Sequence, residues 1–122
     1  QCDVVIEAVF EDLAVKHALF AQLDKVCPPA TLFASNTSTL SITEIAGGSG
    51  RDDRFVGMHF CLPAQLMKLV EMSPGLNTSD ASFERAWALA EREGLGAIFI
   101  LRYEGKLTVR STSHWPQNAK KD

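Results

Sequence analysis

A histidine and a glutamate are the residues of this chain best suited to proton transfer. His59 lies in the strand-like run GMHF, and Glu71 follows in the run MKLVE, which is also strand-like. An imidazole changes protonation state near neutral pH, and a carboxylate can hold it in one tautomer. A hydroxyl-rich loop, Ser35–Ser38, precedes both runs. Together these residues predict a base, a carboxylate that orients it and a hydrogen-bond donor.

Composition limits the class of protein to which such a site could belong. The chain has 122 residues, of which 46% are hydrophobic, so we expect one domain with its own core. A net charge of -3 gives no electrostatic reason to expect nucleic acid or a membrane as partner. The three cysteines, Cys2, Cys27 and Cys61, form no CxxC pair. They predict neither a disulfide framework nor a metal site, and they favour a reducing, cytoplasmic setting.

Strand-like and helix-like segments alternate along most of the chain. One helix is predicted to bury the stripe Val15, Leu19, Phe20, Leu23 and Val26. Alternation of this kind predicts an α/β domain with a largely parallel sheet, whose binding sites lie at the carboxyl ends of strands. The predicted strands are Val4–Val9, Leu32–Ala34, Phe55–Phe60, Lys68–Met72 and Ala97–Leu101, and the predicted helices are Glu11–Val26, one from Ser41 to Gly47-Gly48 and one from Thr78 or Ser79 to Gly94.

No glycine-rich turn of the kind that cradles a nucleotide pyrophosphate is found. Gly48-Ser49-Gly50 continues to an aspartate where a third glycine is needed, and Gly94-Leu95-Gly96 precedes a strand instead of opening a helix. We therefore interpret both as loop and helix-end glycines. The residues after 101 are polar and weakly periodic, which predicts an irregular tail over 102–122.

Four short motifs follow one another along the chain, EAVFED at 7–12, ASNTS at 34–38, GMHF at 57–60 and MKLVE at 67–71. In order and spacing they resemble the NAD-binding domain of 3-hydroxyacyl-CoA dehydrogenases, and this resemblance covers roughly residues 1–96. It implies a Rossmann-like, largely parallel sheet with flanking helices that lacks its first βαβ unit. Residues 1–101 would form this partial NAD-binding domain, and 102–122 a divergent tail. Because the chain opens directly on a strand, we expect it to be a fragment.

The resemblance also implies an activity and a set of site residues. A 3-hydroxyacyl-CoA would give up hydride to NAD and become a 3-ketoacyl-CoA, as in fatty-acid oxidation. By this resemblance His59 takes the hydroxyl proton, Glu71 orients the imidazole, and Ser38 hydrogen-bonds the reacting oxygen. The cofactor contacts carried over are Glu11, Lys16 and Ser38. Without the resemblance, Glu11 and Lys16 would read as solvated charges near an exposed helix start.

Departures from the family keep other interpretations open. Leu62-Pro63 stands where the family carries Asn-Pro, and the motif that leads into the family's helical domain is missing, so the fragment is expected to be catalytically incomplete. A non-catalytic relative that keeps the fold is one alternative. A hydrolase triad of Ser38, His59 and Glu71 is another, although Ser38 lacks a Gly-x-Ser-x-Gly elbow. The acyl chain length and the choice between NAD and NADP stay open.

Three further expectations concern single residues and the first strand. His17 and His114 are expected at the surface, and Cys61 is expected to be a small apolar filler and not a nucleophile. If Val4–Val9 is an edge strand, its unpaired backbone invites pairing with another chain. We therefore predict a homo-oligomer formed through an exposed sheet edge.

Overall fold

The fold is described from a computed structural model, which covers residues 2–61, 68–103 and 106–110, with side chains up to residue 100. Leu62-Pro63, His114 and the end of the tail lie outside these residues. A short 3₁₀ helix at Asp52–Arg54 precedes the third strand. The other elements are β1 Val4–Glu7, α1 Leu13–Val26, β2 Leu32–Ser35, α2 Ile42–Gly47, β3 Phe55–Phe60, β4 Leu69–Pro74, α3 Asp80–Arg92, β5 Gly96–Tyr103 and β6 Lys106–Arg110.

The strands form one six-stranded sheet in chain order. β1, β2 and β3 run parallel, β4 is antiparallel to β3, β5 is parallel to β4, and β6 is antiparallel to β5. The predicted α/β class with a largely parallel sheet is confirmed. The reversal at β4 decides the position of the site, because it brings the amino end of β4 beside the carboxyl ends of β1 to β3.

Helices cover both faces of the sheet. Leu32 and Ala34 of β2 pack in a core cluster with Phe83 and Trp87 of α3, whereas Phe33 packs with Phe20 of α1 and with α2 residues. Since alternate residues of a strand point to opposite faces, α3 lies on one face and α1 with α2 on the other. The shared face predicted for Phe83, Trp87 and Ala90 is confirmed, because all of them are buried.

Side-chain caps fix where the helices begin. Ser41 accepts a hydrogen bond from the Glu44 amide at 3.3 Å, and Ser79 accepts one from the Ser82 amide at 3.1 Å, as the predicted starts require. Asp12 caps α1 through the Val15 amide at 2.9 Å, so α1 begins at Leu13 and not at Glu11. β1 is likewise shorter than predicted and ends at Glu7.

The buried stripe predicted for α1 is wrong at both ends. Val15 is 43% exposed and Val26 is 78% exposed, whereas the side chain of Lys16 is fully buried. The residues that face the sheet are Leu13, Lys16, Phe20, Leu23 and Cys27. The Lys16 side chain faces the sheet, where it forms an ion pair with the buried carboxylate of Glu7 on β1.

The prediction of an irregular tail is wrong for residues 106–110. They form β6, which pairs antiparallel with β5, and β5 itself continues to Tyr103, two residues beyond the predicted end. The segment KLTVR alternates polar and apolar residues, a pattern typical of a strand. This hairpin lies at the edge of the sheet opposite β1, away from the histidine and the glutamate.

A candidate active site at the carboxyl edge of the sheet

His59 and Glu71 are direct cross-strand partners in the β3–β4 ladder. The imidazole Nδ1 lies 3.0 Å from the Glu71 Oε2, and each side chain is 30% exposed. Because an ionised carboxylate only accepts hydrogen bonds, Nδ1 carries the hydrogen in this pair. The Nε2 of the neutral ring is then left as a proton acceptor. The two residues that could do proton transfer are therefore brought together in the geometry of an oriented base.

The core fixes the direction in which this pair points. Met58 and Met72 are buried in the cluster beneath α3, and each is the chain neighbour of one member of the pair. Strand alternation therefore turns His59 and Glu71 to the opposite face of the sheet. Glu71 is the third residue of β4, so it reaches the histidine only because β4 runs antiparallel to β3.

Ser38 lies in the loop that follows β2, at the same edge of the sheet. Its side chain is exposed, and among the described residues it has no hydrogen-bond partner. The hydroxyl is thus open to a bound molecule. It makes no hydrogen bond with His59 in the described part of the chain, so the structure does not assemble the Ser38–His59–Glu71 triad that a hydrolase would need.

Lys16 is buried in an ion pair with Glu7, contrary to the expected exposed helix start. Its Nζ lies 2.6 Å and 2.9 Å from the two carboxylate oxygens of Glu7, 3.3 Å from the Val9 carbonyl and 3.2 Å from Glu11 Oε1. Glu7 also accepts a hydrogen bond from the Ser35 hydroxyl. This cluster joins the ends of β1 and β2 to the first turn of α1.

Glu11 is the outward-facing member of the same cluster. Its carboxylate accepts hydrogen bonds from Thr37 at 2.7 Å and Thr39 at 3.1 Å, and it is 42% exposed. Burial raises the pKa of Glu11, but these hydrogen bonds and the bond and charge of Lys16 outweigh it, so the pKa lies below its ordinary value. Glu11 is therefore a fixed negative charge at the carboxyl edge of the sheet.

The residues expected to contact NAD fit that role unequally. Ser38 is exposed and has no hydrogen-bond partner among the described residues, and Glu11 is 42% exposed although both of its oxygens already have partners. Lys16 is not exposed, because an ammonium has three N–H groups and oxygens of Glu7, Val9 and Glu11 surround all of them. Glu11 and Ser38 can thus contact the cofactor directly. Lys16 can act on the cofactor only through Glu11, whose carboxylate it contacts.

Cys61, His17 and two glycines were also singled out from the sequence, and the contacts or backbone angles of each indicate a structural role. Burial raises the pKa of the Cys61 thiol and the negative charge of Glu71 raises it further, which keeps this cysteine protonated and suits a filler. His17 Nε2 donates a 2.6 Å hydrogen bond to the Glu44 carbonyl, which joins α1 to α2. Gly50 and Gly94 both have positive φ angles, of 75° and 73°, as loop and helix-end glycines do.

Sequence reasoning missed Glu7, Asn36 and Thr37. Glu7 is 3% exposed and Thr37 is 3% exposed, and both belong to the hydrogen-bonded cluster around Lys16 and Glu11. One signal was available, because Glu7 ends an otherwise apolar strand and a buried glutamate needs a cation. Asn36 carried no comparable signal, since its role depends on a contact with β3, 24 residues later in the chain.

Fold and site together define a nucleotide-binding domain of the dehydrogenase type, and comparison with known proteins gives its family. Residues 1–102 match the family described as 3-hydroxyacyl-CoA dehydrogenase, NAD binding domain. The chain belongs to this family. The resemblance inferred from the four motifs is thereby confirmed, and so is NAD as the cofactor of the domain.

Relatives named as hydroxyacyl-CoA or hydroxybutyryl-CoA dehydrogenases are found in bacteria and in humans. A probable 3-hydroxybutyryl-CoA dehydrogenase of Bacillus subtilis is 46% identical over 88% of this chain and 38% of its own length. The human mitochondrial hydroxyacyl-coenzyme A dehydrogenase is 51% identical over 67% of this chain and 26% of its own. The crystal structure of (S)-3-hydroxybutyryl-CoA dehydrogenase from Ralstonia eutropha superposes with a TM-score of 0.81 at 39% identity, over 88% of this chain and 38% of that one. The chain thus spans less than two fifths of the length of these relatives.

Proposed function

We propose that this chain carries the proton-transfer site of an NAD-dependent 3-hydroxyacyl-CoA dehydrogenase of fatty-acid metabolism. The observation that carries the proposal is the His59–Glu71 pair, in which Nδ1 lies 3.0 Å from the carboxylate and Nε2 has no hydrogen-bond partner among the described residues. A base in this state suits the oxidation of a secondary alcohol, in which a hydroxyl proton must leave as hydride leaves the carbon. Membership of the family supports this choice over other uses of a paired histidine.

In the proposed reaction the C3 hydroxyl of the acyl-CoA gives its proton to His59 Nε2. The C3–H bond breaks, its electron pair leaves as hydride, and the C3–O bond becomes a carbonyl. NAD supplies the hydride acceptor when it is bound. Glu71 stabilises the imidazolium that forms, and the exposed Ser38 hydroxyl donates a hydrogen bond to the reacting oxygen. Glu11 faces the cofactor, and Lys16 keeps Glu11 in place.

A segment exchange tests this proposal. Residues 1–102 replace the matching segment of the Bacillus subtilis relative, and oxidation of NADH by acetoacetyl-CoA is followed by absorbance at 340 nm. We expect the chimera to oxidise NADH in the presence of the thioester and not in its absence. A chimera that folds and binds NADH, but does not oxidise it with the thioester, would contradict the proposal. The unmodified relative is the positive control.

We further propose that the protein acts in the cytoplasm and associates through the open edge of β1. Within the described residues β1 pairs only with β2, and Ile6, Val9 and Phe10 are exposed beside it. All three cysteines are free, which suits a reducing compartment. No helix in the described part of the chain has the length and apolar character needed to cross a bilayer.

A further inference from the structure

Asn36 joins the ends of three neighbouring strands next to the candidate base. It is the first residue after β2, and its backbone N–H donates to the Glu7 carbonyl of β1 at 2.9 Å. Its side-chain Oδ1 accepts a hydrogen bond from the Phe60 amide of β3 at 2.8 Å. The amide orientation follows from chemistry, because a backbone N–H can only donate and must meet the oxygen of the carboxamide.

This contact replaces a piece of the β2–β3 ladder that is missing beside His59. The pairing of β2 with β3 runs from Phe33 opposite Phe55 to Ser35 opposite Gly57 and goes no further. On its other side, β3 stays paired with β4 as far as Phe60, and Cys61 donates to the Leu69 carbonyl at 3.1 Å. Without Asn36, the peptide that links His59 to Phe60 would be held from one side only.

We propose that Asn36 is a positioning residue of the proton-transfer site. By accepting from the Phe60 amide, it holds the peptide next to the imidazole and keeps His59 opposite Glu71. The same residue begins the loop that carries Ser38, so one side chain sets the distance between that loop and the base. This inference rests on the proposed function, because a positioning role has meaning only if His59 is the base.

The test uses the whole 122-residue chain and nitrogen-15 chemical shifts of the His59 ring. In the wild-type protein at a pH where the ring is neutral, we expect the Nδ1–H tautomer to dominate. Asn36→Ala should shift the ring toward the tautomer mixture of Glu71→Ala, and it should speed hydrogen exchange of the Phe60 amide by roughly 2- to 10-fold, the factor that one lost hydrogen bond supplies. Asn36→Asp keeps the acceptor and should restore both readouts.

A matched control separates positioning from general loosening of β3. The Thr78 hydroxyl donates to the Phe55 carbonyl at 2.6 Å and accepts from the Gly75 amide at 2.8 Å, so Thr78→Val removes side-chain hydrogen bonds at the other end of the same strand. It should lower stability and leave the His59 tautomer unchanged. The proposal is overturned if Thr78→Val changes the tautomer as much as Asn36→Ala does, or if Asn36→Ala leaves the tautomer at its wild-type value.

Hydrogen exchange in the wild-type chain gives a further test, which does not depend on whether any variant folds. A Phe60 amide that exchanges as fast as an open loop amide would overturn the proposal, whereas a protected one supports it. Failure of the proposed function would give a different result from failure of the role proposed for Asn36. A wild-type His59 with no preference for the Nδ1–H tautomer would speak against the His59–Glu71 pair, while exchange at Phe60 would still report on Asn36.

Discussion

Lys16 links the ends of β1 and β2 to the first turn of α1 through the buried carboxylate of Glu7. Its side chain is fully buried, and so is that of its partner Glu7, at 0% and 1% exposure. Removing one member of such a pair leaves an uncompensated buried charge, which typically costs about 3–5 kcal/mol. We expect Lys16→Met to lower the free energy of unfolding by this amount in urea titrations.

Two variants control that experiment. Lys25→Met changes an exposed lysine of the same helix and should have little effect. The double variant Lys16→Met/Glu7→Leu removes both charges and should be closer to wild type than Lys16→Met alone. An unchanged stability for the single variant would mean that the ion pair is not formed.

Glu11 makes stability depend on pH. Its pKa in the folded chain is below the ordinary 4.5, so it contributes stability that is present above 4.5 and is lost as pH falls through the lower folded value. We expect urea midpoints measured from pH 7 to pH 3 to fall less steeply for Glu11→Gln than for wild type in the acid range. Parallel curves for the two proteins would contradict the hydrogen bonds from Thr37 and Thr39.

The chemistry of the site could be predicted from residue types, but the supporting contacts could not. His59 and Glu71 were recognisable because an imidazole and a carboxylate lie in two strand-like runs that follow each other closely in the chain. Their separation of 3.0 Å depends on the antiparallel register of β4, which no local pattern records. The burial of Lys16 could not be predicted from the local sequence either, because its partner Glu7 belongs to another element.

At the scale of elements, Gly57 shows why β3 can pass close to its neighbours. A Cβ added at Gly57 would meet the Ser73 hydroxyl of β4 and would lie 2.8 Å from Ile42 Cδ1 of α2. Overpacking of this kind costs about 1–3 kcal/mol. We expect Gly57→Ala to lower the thermal midpoint measured by circular dichroism and to disturb His59, which is two residues away.

Gly47→Ala is the matched control for that variant. A Cβ at Gly47 meets nothing within 4 Å, so the substitution should be close to neutral. Equal losses for the two alanine variants would show that the contact between β3 and α2 is not close. A difference between the two variants therefore reports on packing at Gly57, because both variants replace one glycine by alanine.

Element starts and element faces were predictable to different degrees. Ser41 and Ser79 marked helix starts because a cap acts within a few residues of chain. The face of α1 was predicted wrongly because hydrophobicity alone ranks Val15 above Lys16, whereas the buried Glu7 reverses that order. β6 was missed because its five residues are too few for their alternation to stand out in an otherwise polar segment.

At the scale of the whole molecule, the open edge of β1 predicts self-association. Leu32 N–H donates to Asp3 and Asn36 N–H to Glu7, so the alternation of a parallel ladder leaves the backbone groups of Val4 and Ile6 facing outward. A groove of about 560 Å³ lies between this edge and α3, and its lining combines apolar residues with charged ones, namely Val4, Ile6, Ala88 and Leu89 with Asp3, Arg85 and Arg92. We expect light scattering to show oligomers that grow with concentration.

Ile6→Pro removes an outward N–H without breaking a bond to β2, so it should give a monomer of unchanged fold. Val26→Ser removes another exposed apolar side chain, far from the edge in sequence, and should leave the oligomers intact. A wild-type chain that stays monomeric over the same concentrations would contradict the proposal.

The central claim is that His59 is the base of a dehydrogenase, and one measurement tests it most directly. In the chimera that carries residues 1–102, the kcat for acetoacetyl-CoA reduction is compared between His59→Gln and His17→Gln. Loss of a general acid or base typically lowers the rate about 100- to 10,000-fold, and we predict a loss of that order for His59→Gln. The His17→Gln control should stay within a few-fold of the parent. A His59→Gln chimera that retains the parent's kcat would contradict the account.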